Sequence, residues 1–190
     1  MRSLKNDNAF TGLEAAIVLI AFVVVAAVFS YVVLGAGFFT TQKSQEVVHT
    51  GVQQASSTLE IVGNVYGTTA VAGTPISVIN FTCALAPGGT PVDFDKVVLT
   101  YSNATQLQTL SQTTKGNAPG AGQWSIASVQ NQITTDSVLE RGEQFDIMAK
   151  PSNGITKNDY FTIEVKPSIG AALGITRTAP ASIQQINILY

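Results

Sequence analysis

The sequence is short of the residues that most often carry chemistry. Its 190 residues include one cysteine, Cys83, one histidine, His49, and only 12% charged side chains, with a formal net charge of −2. A single cysteine cannot form an intrachain disulfide, and its apolar surroundings indicate a buried small side chain. We expect His49 on the surface, since there is no second histidine to share a metal. The lack of a basic patch argues against nucleic acid as a partner.

Motifs of known catalytic chemistry are absent as well. The sequence contains no nucleophile elbow, HExxH, P-loop or Rossmann fingerprint, so we expect neither enzyme activity nor a cofactor. The acidic residues of the second half do not form the loop pattern of a calcium site and are expected to be solvated at the surface. These residues are Asp93, Asp95, Asp136, Glu140, Glu143 and Asp146.

What the chain does have is a long apolar run, Ala15–Phe39, with no charged side chain. As a helix these twenty-five residues span roughly 37 Å, enough to cross the ~30 Å apolar layer of a bilayer. Arg2 and Lys5 precede the run, which favours a cytoplasmic head and export of the chain beyond Phe39.

The run is too long for the apolar region of an ordinary secretory signal, so the predicted processing site lies before it. Cleavage between Ala9 and Phe10 follows a small residue and removes only the charged leader, residues 1–9. The mature chain then begins at Phe10 with its whole apolar helix intact.

Small residues recur along this helix. Gly12 with Ala16, and Ala26 with Ser30, have the spacing that lets helix backbones approach closely. Since moving such a helix from lipid into a protein bundle changes its hydrophobic exposure little, packing decides where it goes. The segment can therefore be a membrane anchor before assembly and a packed core afterwards. A plain single-span anchor is the alternative.

Glu14 is the one charge at the edge of the helix. If the chain begins at Phe10, the new α-ammonium lies four residues away and can pair with this carboxylate within the chain or across subunits. Pairing matters because an unpaired charge in an apolar bundle costs several kcal/mol. The alternative is a carboxylate at headgroup level that stabilises the helix N-terminus.

The helical pattern continues beyond Lys43 with one apolar stripe that packs on the following domain or on a neighbouring helix. Gly63 and Gly67 are the predicted stop signals, so the helical segment is expected to cover residues 10–67. The stripe consists of Val48, Val52, Ala55, Leu59 and Val62.

The exported part, residues 68–190, has short β-branched and aromatic segments separated by Gly, Pro and Asn clusters. This pattern predicts an Ig-like antiparallel β-sandwich or barrel, and an α+β fold class for the whole chain. Two sequons, at Asn80 and Asn103, are candidates for N-glycosylation. The predicted strands are Ser77–Leu85, Val97–Ser102, Ser137–Leu139, Phe145–Ala149, Tyr160–Val165 and Ala172–Arg177.

Two family resemblances follow from these residues. The basic leader, the small residue at the cut, the aromatic Phe10 and Glu14 resemble the class III signal of type IV pilins and archaeal flagellins. That resemblance implies processing by a membrane-embedded prepilin peptidase, and in pilins the matching Glu is thought to neutralise the amine of an adjacent subunit. Pilins usually have Gly where this chain has Ala9.

The segment Thr40–Gly67 and the tail Tyr160–Tyr190, with its V-x-P-x-x-G-A, R-T-x-P and terminal L-Y elements, are similar to archaeal flagellins (archaellins). The resemblance implies an extracellular motility filament with a core of N-terminal helices and a sheath of β-domains. It also implies assembly with further copies and with sibling archaellins, a membrane-anchored precursor and a membrane export motor. The alternatives are an adhesive type IV pilin, a monomeric tethered binding domain and an anchored enzyme.

Overall fold

A computed structural model describes the backbone of residues 7–56 and 58–190 and the side chains of residues 12–54 and 58–190. The chain divides into two compact units between Thr50 and Gly51. The first unit is helical, and the second contains the strands.

The helix, α1, runs from Asp7 to Ser56 and contains 50 residues, which corresponds to a length of about 75 Å. Its side chains are exposed along almost the whole of residues 12–54. The hydroxyls of Thr40 and Thr41 donate to the carbonyls of Ala36 (2.8 Å) and Phe38 (2.9 Å), so both polar groups are satisfied within the helix. The long N-terminal helix predicted from the sequence is confirmed.

The predicted end of the helix is wrong. α1 ends at Ser56, and Leu59 begins a strand in which its side chain is buried rather than part of a helical stripe. The predicted helical segment 10–67 is therefore too long. Gly63 has a φ of +82° at a bulge between Val62 and Tyr66, a backbone conformation that favours glycine. The glycine taken as a helix stop thus shapes a strand.

The described residues after the helix form eleven strands and one 3-10 helix, Phe94–Lys96. The strands are β1 (Leu59–Thr68), β2 (Val78–Leu85), β3 (Val92–Asp93), β4 (Val98–Asn103), β5 (Leu107–Gln112), β6 (Gln123–Gln130), β7 (Val138–Leu139), β8 (Gln144–Lys150), β9 (Tyr160–Lys166), β10 (Leu173–Thr178) and β11 (Ile186–Leu189).

Within the described residues, nine of these strands form one sheet in the order β10-β9-β4-β5-β6-β8-β2-β1-β11. All neighbours are antiparallel except β5 and β6, which pair in parallel over a short stretch. The sheet curls so that its two ends meet, where the Thr178 amide donates to the Tyr190 carbonyl at 2.7 Å. The result is a nearly closed barrel, and this α+β architecture confirms the predicted fold class in its barrel form.

The six predicted strands correspond to β2, β4, β7, β8, β9 and β10. The other five were not predicted as strands: β1, which was assigned to the helix, and β3, β5, β6 and β11. β5 and β6 intersperse their apolar residues with Gln and Ser, which are not among the β-branched and aromatic residues enriched in strands. These segments become strands because their neighbours offer backbone partners, as β8 does along β6.

The barrel interior is built around aromatic side chains. Phe94, carried by the 3-10 helix, lies 5.0 Å from Phe145 and 6.4 Å from Trp124 between ring centroids. Tyr101 stacks on Phe161 at 5.9 Å. All five rings are essentially inaccessible to solvent, and such pairs add about 0.5–1.5 kcal/mol each to the area that they bury.

Glu143 contradicts the expectation of solvated acidic residues, because its side chain is buried. Its carboxylate accepts hydrogen bonds from the backbone amides of Ile133 (2.6 Å), Thr134 (3.3 Å) and Glu140 (3.0 Å). Burial alone raises the pKa of Glu143, but the three backbone donors outweigh it and lower the pKa below its ordinary value. The buried charge therefore holds the loop before β7 against the start of β8.

We predict that Glu143→Gln lowers the free energy of unfolding by about 2 kcal/mol, because the amide NH₂ places a donor against a backbone donor. Since the folded-state pKa lies below the unfolded one, this stabilisation is present at neutral pH and is lost as the pH falls through the folded-state pKa. Denaturant unfolding of the full chain in detergent, followed by Trp124 fluorescence, measures the effect.

The control is Glu164→Gln, an exposed position on β9. Equal stability of the two variants, or an acid transition unchanged by Glu143→Gln, would show that the buried carboxylate contributes nothing.

Candidate assembly surface

The small residues predicted for assembly share one side of α1. At 3.6 residues per turn, Gly12, Ala16, Ala26 and Ser30 fall within an arc of about 80° around the helix axis. All four are exposed, and a Cβ added at Gly12 would meet no atom within 4 Å. Contacts within the described chain therefore give no reason for small side chains on this face.

The head of α1 is described in part. Residues 1–6 of the predicted leader lie outside the described residues, and at Ala9 and Phe10 only the backbone is described, which is helical. Glu14 is exposed. Around the helix it lies about 160–200° from Gly12, so the charge and the small-residue face are on different sides.

Val48 and Val52, the described members of the outer stripe that remain helical, are exposed and one turn apart. Thr41, Ser44 and Gln45 lie beside Val48 and form a shallow polar border. Lys43 and Glu46 pair with each other at 2.6 Å on the helix surface, so this part of the helix has little net charge.

The barrel has a shallow groove on the outer side of β1, β2, β6 and β8. Asp146 lies in it and accepts hydrogen bonds from Ser128 (2.5 Å), Thr82 (2.7 Å) and Gln130 (3.0 Å). Burial raises the pKa of Asp146, but these donors outweigh it and lower the pKa. The carboxylate is held by its neighbours, which is a structural arrangement rather than a catalytic one.

The two sequons occupy different surroundings. Asn80 is half-buried in β2, paired in register between Tyr66 of β1 and Met148 of β8, and it donates to Thr68 Oγ1 at 3.3 Å. Asn103 lies at the β4–β5 hairpin, where its Oδ1 accepts from the Thr105 amide (3.0 Å) and its Nδ2 donates to Asp159 (3.3 Å).

One surface was missed by the sequence analysis. The outward side of β11 presents Ile186, Ile188 and Tyr190, and Tyr66 of β1 lies opposite Ile188. The available signal was the ending INILY, in which four of five positions are large and apolar. A strand with that composition has an apolar side whichever way it faces.

No catalytic arrangement is seen among the described residues. They contain no group of three or more His, Cys, Asp and Glu that could hold a metal ion. Cys83 is buried, which confirms the expected buried side chain, and burial raises its pKa to about 12. His49 is exposed on α1, as expected.

The helix also meets the physical requirement for a membrane span. Among the described residues, Gly12–Gln54 is long and apolar enough to cross a bilayer, with a mean hydropathy of 3.0 in its most apolar window, none of which is buried. The largest exposed apolar surface in the described part of the chain is therefore that of α1.

Known proteins resemble the chain over almost its whole length. Probable flagellin 1 of Archaeoglobus fulgidus is 45% identical over 200 residues, covering 100% of this chain and 98% of that protein. Probable flagellin 1 of Aeropyrum pernix is 34% identical, covering 95% and 96%. The solved archaeal flagellum of Methanospirillum hungatei strain JF1 aligns with a TM-score of 0.74 and 35% identity over 94% of this chain and 99% of that one.

The sequence model of archaeal-type flagellin matches residues 9–177, which include both the apolar helix and most of the barrel. The chain belongs to the archaeal-type flagellin family.

Proposed function

We propose that the chain is the structural subunit of an archaeal flagellum, a rotating motility filament that assembles through α1. The observation that carries this proposal is the complete exposure of the apolar helix. Fully burying one large apolar side chain is worth about 1.5–3 kcal/mol, and α1 exposes such side chains all along Leu13–Phe39. The likeness to the Methanospirillum hungatei flagellum supports the view that other copies of the chain, assembled into a polymer, cover these side chains.

The proposed contact between copies is heterologous, because a single helix packs against copies of itself through different faces. Such a contact gives an open helical filament when its rotation does not close into a ring. Small residues on one face let the helix backbones approach. The barrels, whose surfaces are rich in Thr, Ser, Gln and Asn, keep the fibre soluble.

An adhesive type IV pilin, the alternative from the sequence, is less well supported. The relatives match the barrel as well as the helix, and they are flagellins. Sibling archaellins could join the same polymer, since they would present the same helix. Deleting the gene and scoring swimming against surface attachment separates motility from adhesion.

Maturation follows the family pattern in this proposal. The precursor sits in the cytoplasmic membrane through α1, prepilin peptidase cuts between Ala9 and Phe10, and an export motor extends and rotates the filament outside the cell. The new α-ammonium at Phe10 pairs with Glu14 of the same or an adjacent subunit. Asn103 is the sequon better placed for a glycan, because the following Ala104 and Thr105 are exposed at a hairpin.

Intact-mass and N-terminal analysis of shed filaments tests assembly and processing together. We expect a chain that begins at Phe10, with excess mass that maps to the Asn103 peptide. Filaments made of chains that still carry residues 1–9 would contradict the processing step, and shed filaments that lack this chain would contradict the proposed function.

Glu14→Gln removes the charge while keeping the shape of the side chain. We expect a fall in filament yield of tenfold or more, because the buried α-ammonium loses its partner. Glu46→Gln is the matched control, since Glu46 pairs with Lys43 on the polar part of the same helix. Wild-type yield from Glu14→Gln, measured by sedimentation and electron microscopy, would contradict the pairing.

The double variant Ala26→Leu, Ser30→Leu fills the small-residue face without lowering the hydropathy of the helix. We expect normal membrane insertion of the precursor and a loss of filaments of tenfold or more, because close helix approach is blocked. Val28→Leu enlarges a neighbouring position by one methylene and serves as the control. Normal filaments from the double variant would indicate that small residues have no part in packing.

A further inference from the structure

The last strand of the barrel exposes a row of apolar side chains on its outer face. Asn187 and Leu189 of β11 point inward and are buried, whereas Ile186, Ile188 and Tyr190 point outward with exposed fractions of 69%, 39% and 82%. A surface strand ordinarily places its apolar residues inside and its polar residues outside. Here an amide is buried and two isoleucines face out.

Hydrogen bonds fix this orientation. The Asn187 Nδ2 group donates to the carbonyls of Gly67 (3.2 Å) and Gln184 (2.8 Å), and its Oδ1 accepts from the Gln184 amide (2.8 Å). A one-residue slip of β11 would turn every side chain to the other face, and it would leave the carbonyl of Gly67 without this partner. The outward apolar row is therefore a fixed feature of the barrel.

This row has a definite extent, and we refer to Tyr66, Ile186, Ile188 and Tyr190 as the β11 patch. Tyr66 faces the same side because its Cα pairs with that of Ile188. Three alternate positions of β11 cover about 13 Å along the strand. On the far side of the barrel closure, β9 and β10 present polar or charged side chains such as Thr162, Glu164 and Thr176. The patch is thus an apolar surface next to strands whose outward side chains are mainly polar.

We propose that the β11 patch is the surface through which the barrel contacts α1 of a second copy in the polymer. This inference rests on the proposed filament function and goes beyond it, since it names the barrel residues and the partner surface. The occupant is the outer part of the neighbouring helix, where Val47, Val48 and Val52 are exposed.

The chemistry of the two surfaces favours this pairing over barrel-to-barrel contact. The β11 patch contains no charged side chain, so an apolar partner can cover it without removing a charged group from water. Among the described residues the other extended apolar surface is α1. Near Val48 its charges, Lys43 and Glu46, already neutralise each other, so the helix can approach without burying an unpaired ion.

The proposal has a consequence for the Asn80 sequon. Asn80 pairs in register with Tyr66 and faces the same outer side of the sheet. A glycan there would stand beside the β11 patch and block an approaching helix. Asn103, at the hairpin of β4 and β5, pairs in register with Phe161 of β9 and not with a residue of the β11 patch. A glycan at that position therefore does not stand directly beside the patch.

Full-length Ile188→Glu and Leu107→Glu provide the first test. Leu107 is an exposed apolar residue, at 77% exposure, on β5. This strand lies five positions from β11 along the sheet order and four positions across the barrel closure. Both side chains lie on the outer face of the barrel, although Ile188 is only 39% exposed, so we expect both variants to fold and to unfold cooperatively by Trp124 fluorescence in detergent. We expect Ile188→Glu to reduce sedimentable filaments at least tenfold and Leu107→Glu to leave them at the wild-type level.

The outcomes separate this inference from the function on which it rests. If the wild-type chain forms no filaments, the proposed function fails. If the wild-type chain assembles and Ile188→Glu assembles equally well, only the β11 patch is refuted. Equal losses from both glutamates also refute it, since the effect would not depend on the patch.

Cysteine cross-linking covers the case in which Ile188→Glu fails to fold. Filaments are assembled from a mixture of Ile188→Cys chains and Val48→Cys chains, so that a disulfide between the two positions must join different copies. The native Cys83 is buried and contributes no background. We expect cross-linked dimers from this pair and none when Leu107→Cys replaces Ile188→Cys. Absence of the dimer, or a glycan on Asn80 in most assembled subunits, would overturn the proposal.

Discussion

The structure depends on one constraint, which is that the apolar surface of α1 has no partner within the described chain. Large side chains from Leu13 to Phe39 are all exposed, and water cannot be their stable surrounding. Both lipid and other copies of the helix can surround these side chains with apolar atoms. Because the two surroundings are similarly apolar, packing decides whether the helix lies in lipid or in a bundle. In the proposed assembly, the small residues on one face of α1 favour the packed state.

The barrel, in contrast to α1, buries its apolar side chains within itself. It folds around its own aromatic core, closes its sheet edges against each other near Thr178 and Tyr190, and stabilises a buried carboxylate with backbone amides. Closure matters for a subunit that is present in many copies, because an open sheet edge invites uncontrolled strand pairing. Contacts between copies are then left to side chains, and the β11 patch is a row of apolar ones on the outside of the barrel.

Sequence patterns were enough wherever the determinant is local. A charge-free run predicts the helix, β-branched segments such as β9 predict strands, and a lone cysteine in apolar surroundings is buried as expected. The failures share a cause, which is that a distant partner decides the outcome. The spacing of Leu59 and Val62 suits a helix, whereas Leu59 and Ile61 have the spacing of a strand face, and pairing with β2 selects the strand. Asn187 faces inward because the carbonyl of Gly67, 120 residues away, accepts its hydrogen bond.

The candidate assembly surface shows the same division. The small residues and Glu14 could be placed on α1 from spacing along one helix, and their role in assembly stays a prediction. The β11 patch could not be placed in this way, because which side of a strand faces out depends on the whole barrel. A cryo-electron microscopy reconstruction of filaments formed by this chain tests the central role of α1 most directly. If α1 is the assembly core, its apolar surface from Leu13 to Phe39 is covered by helices of other copies. Filaments joined through the barrels alone, with these helices in lipid or facing solvent, would contradict that role.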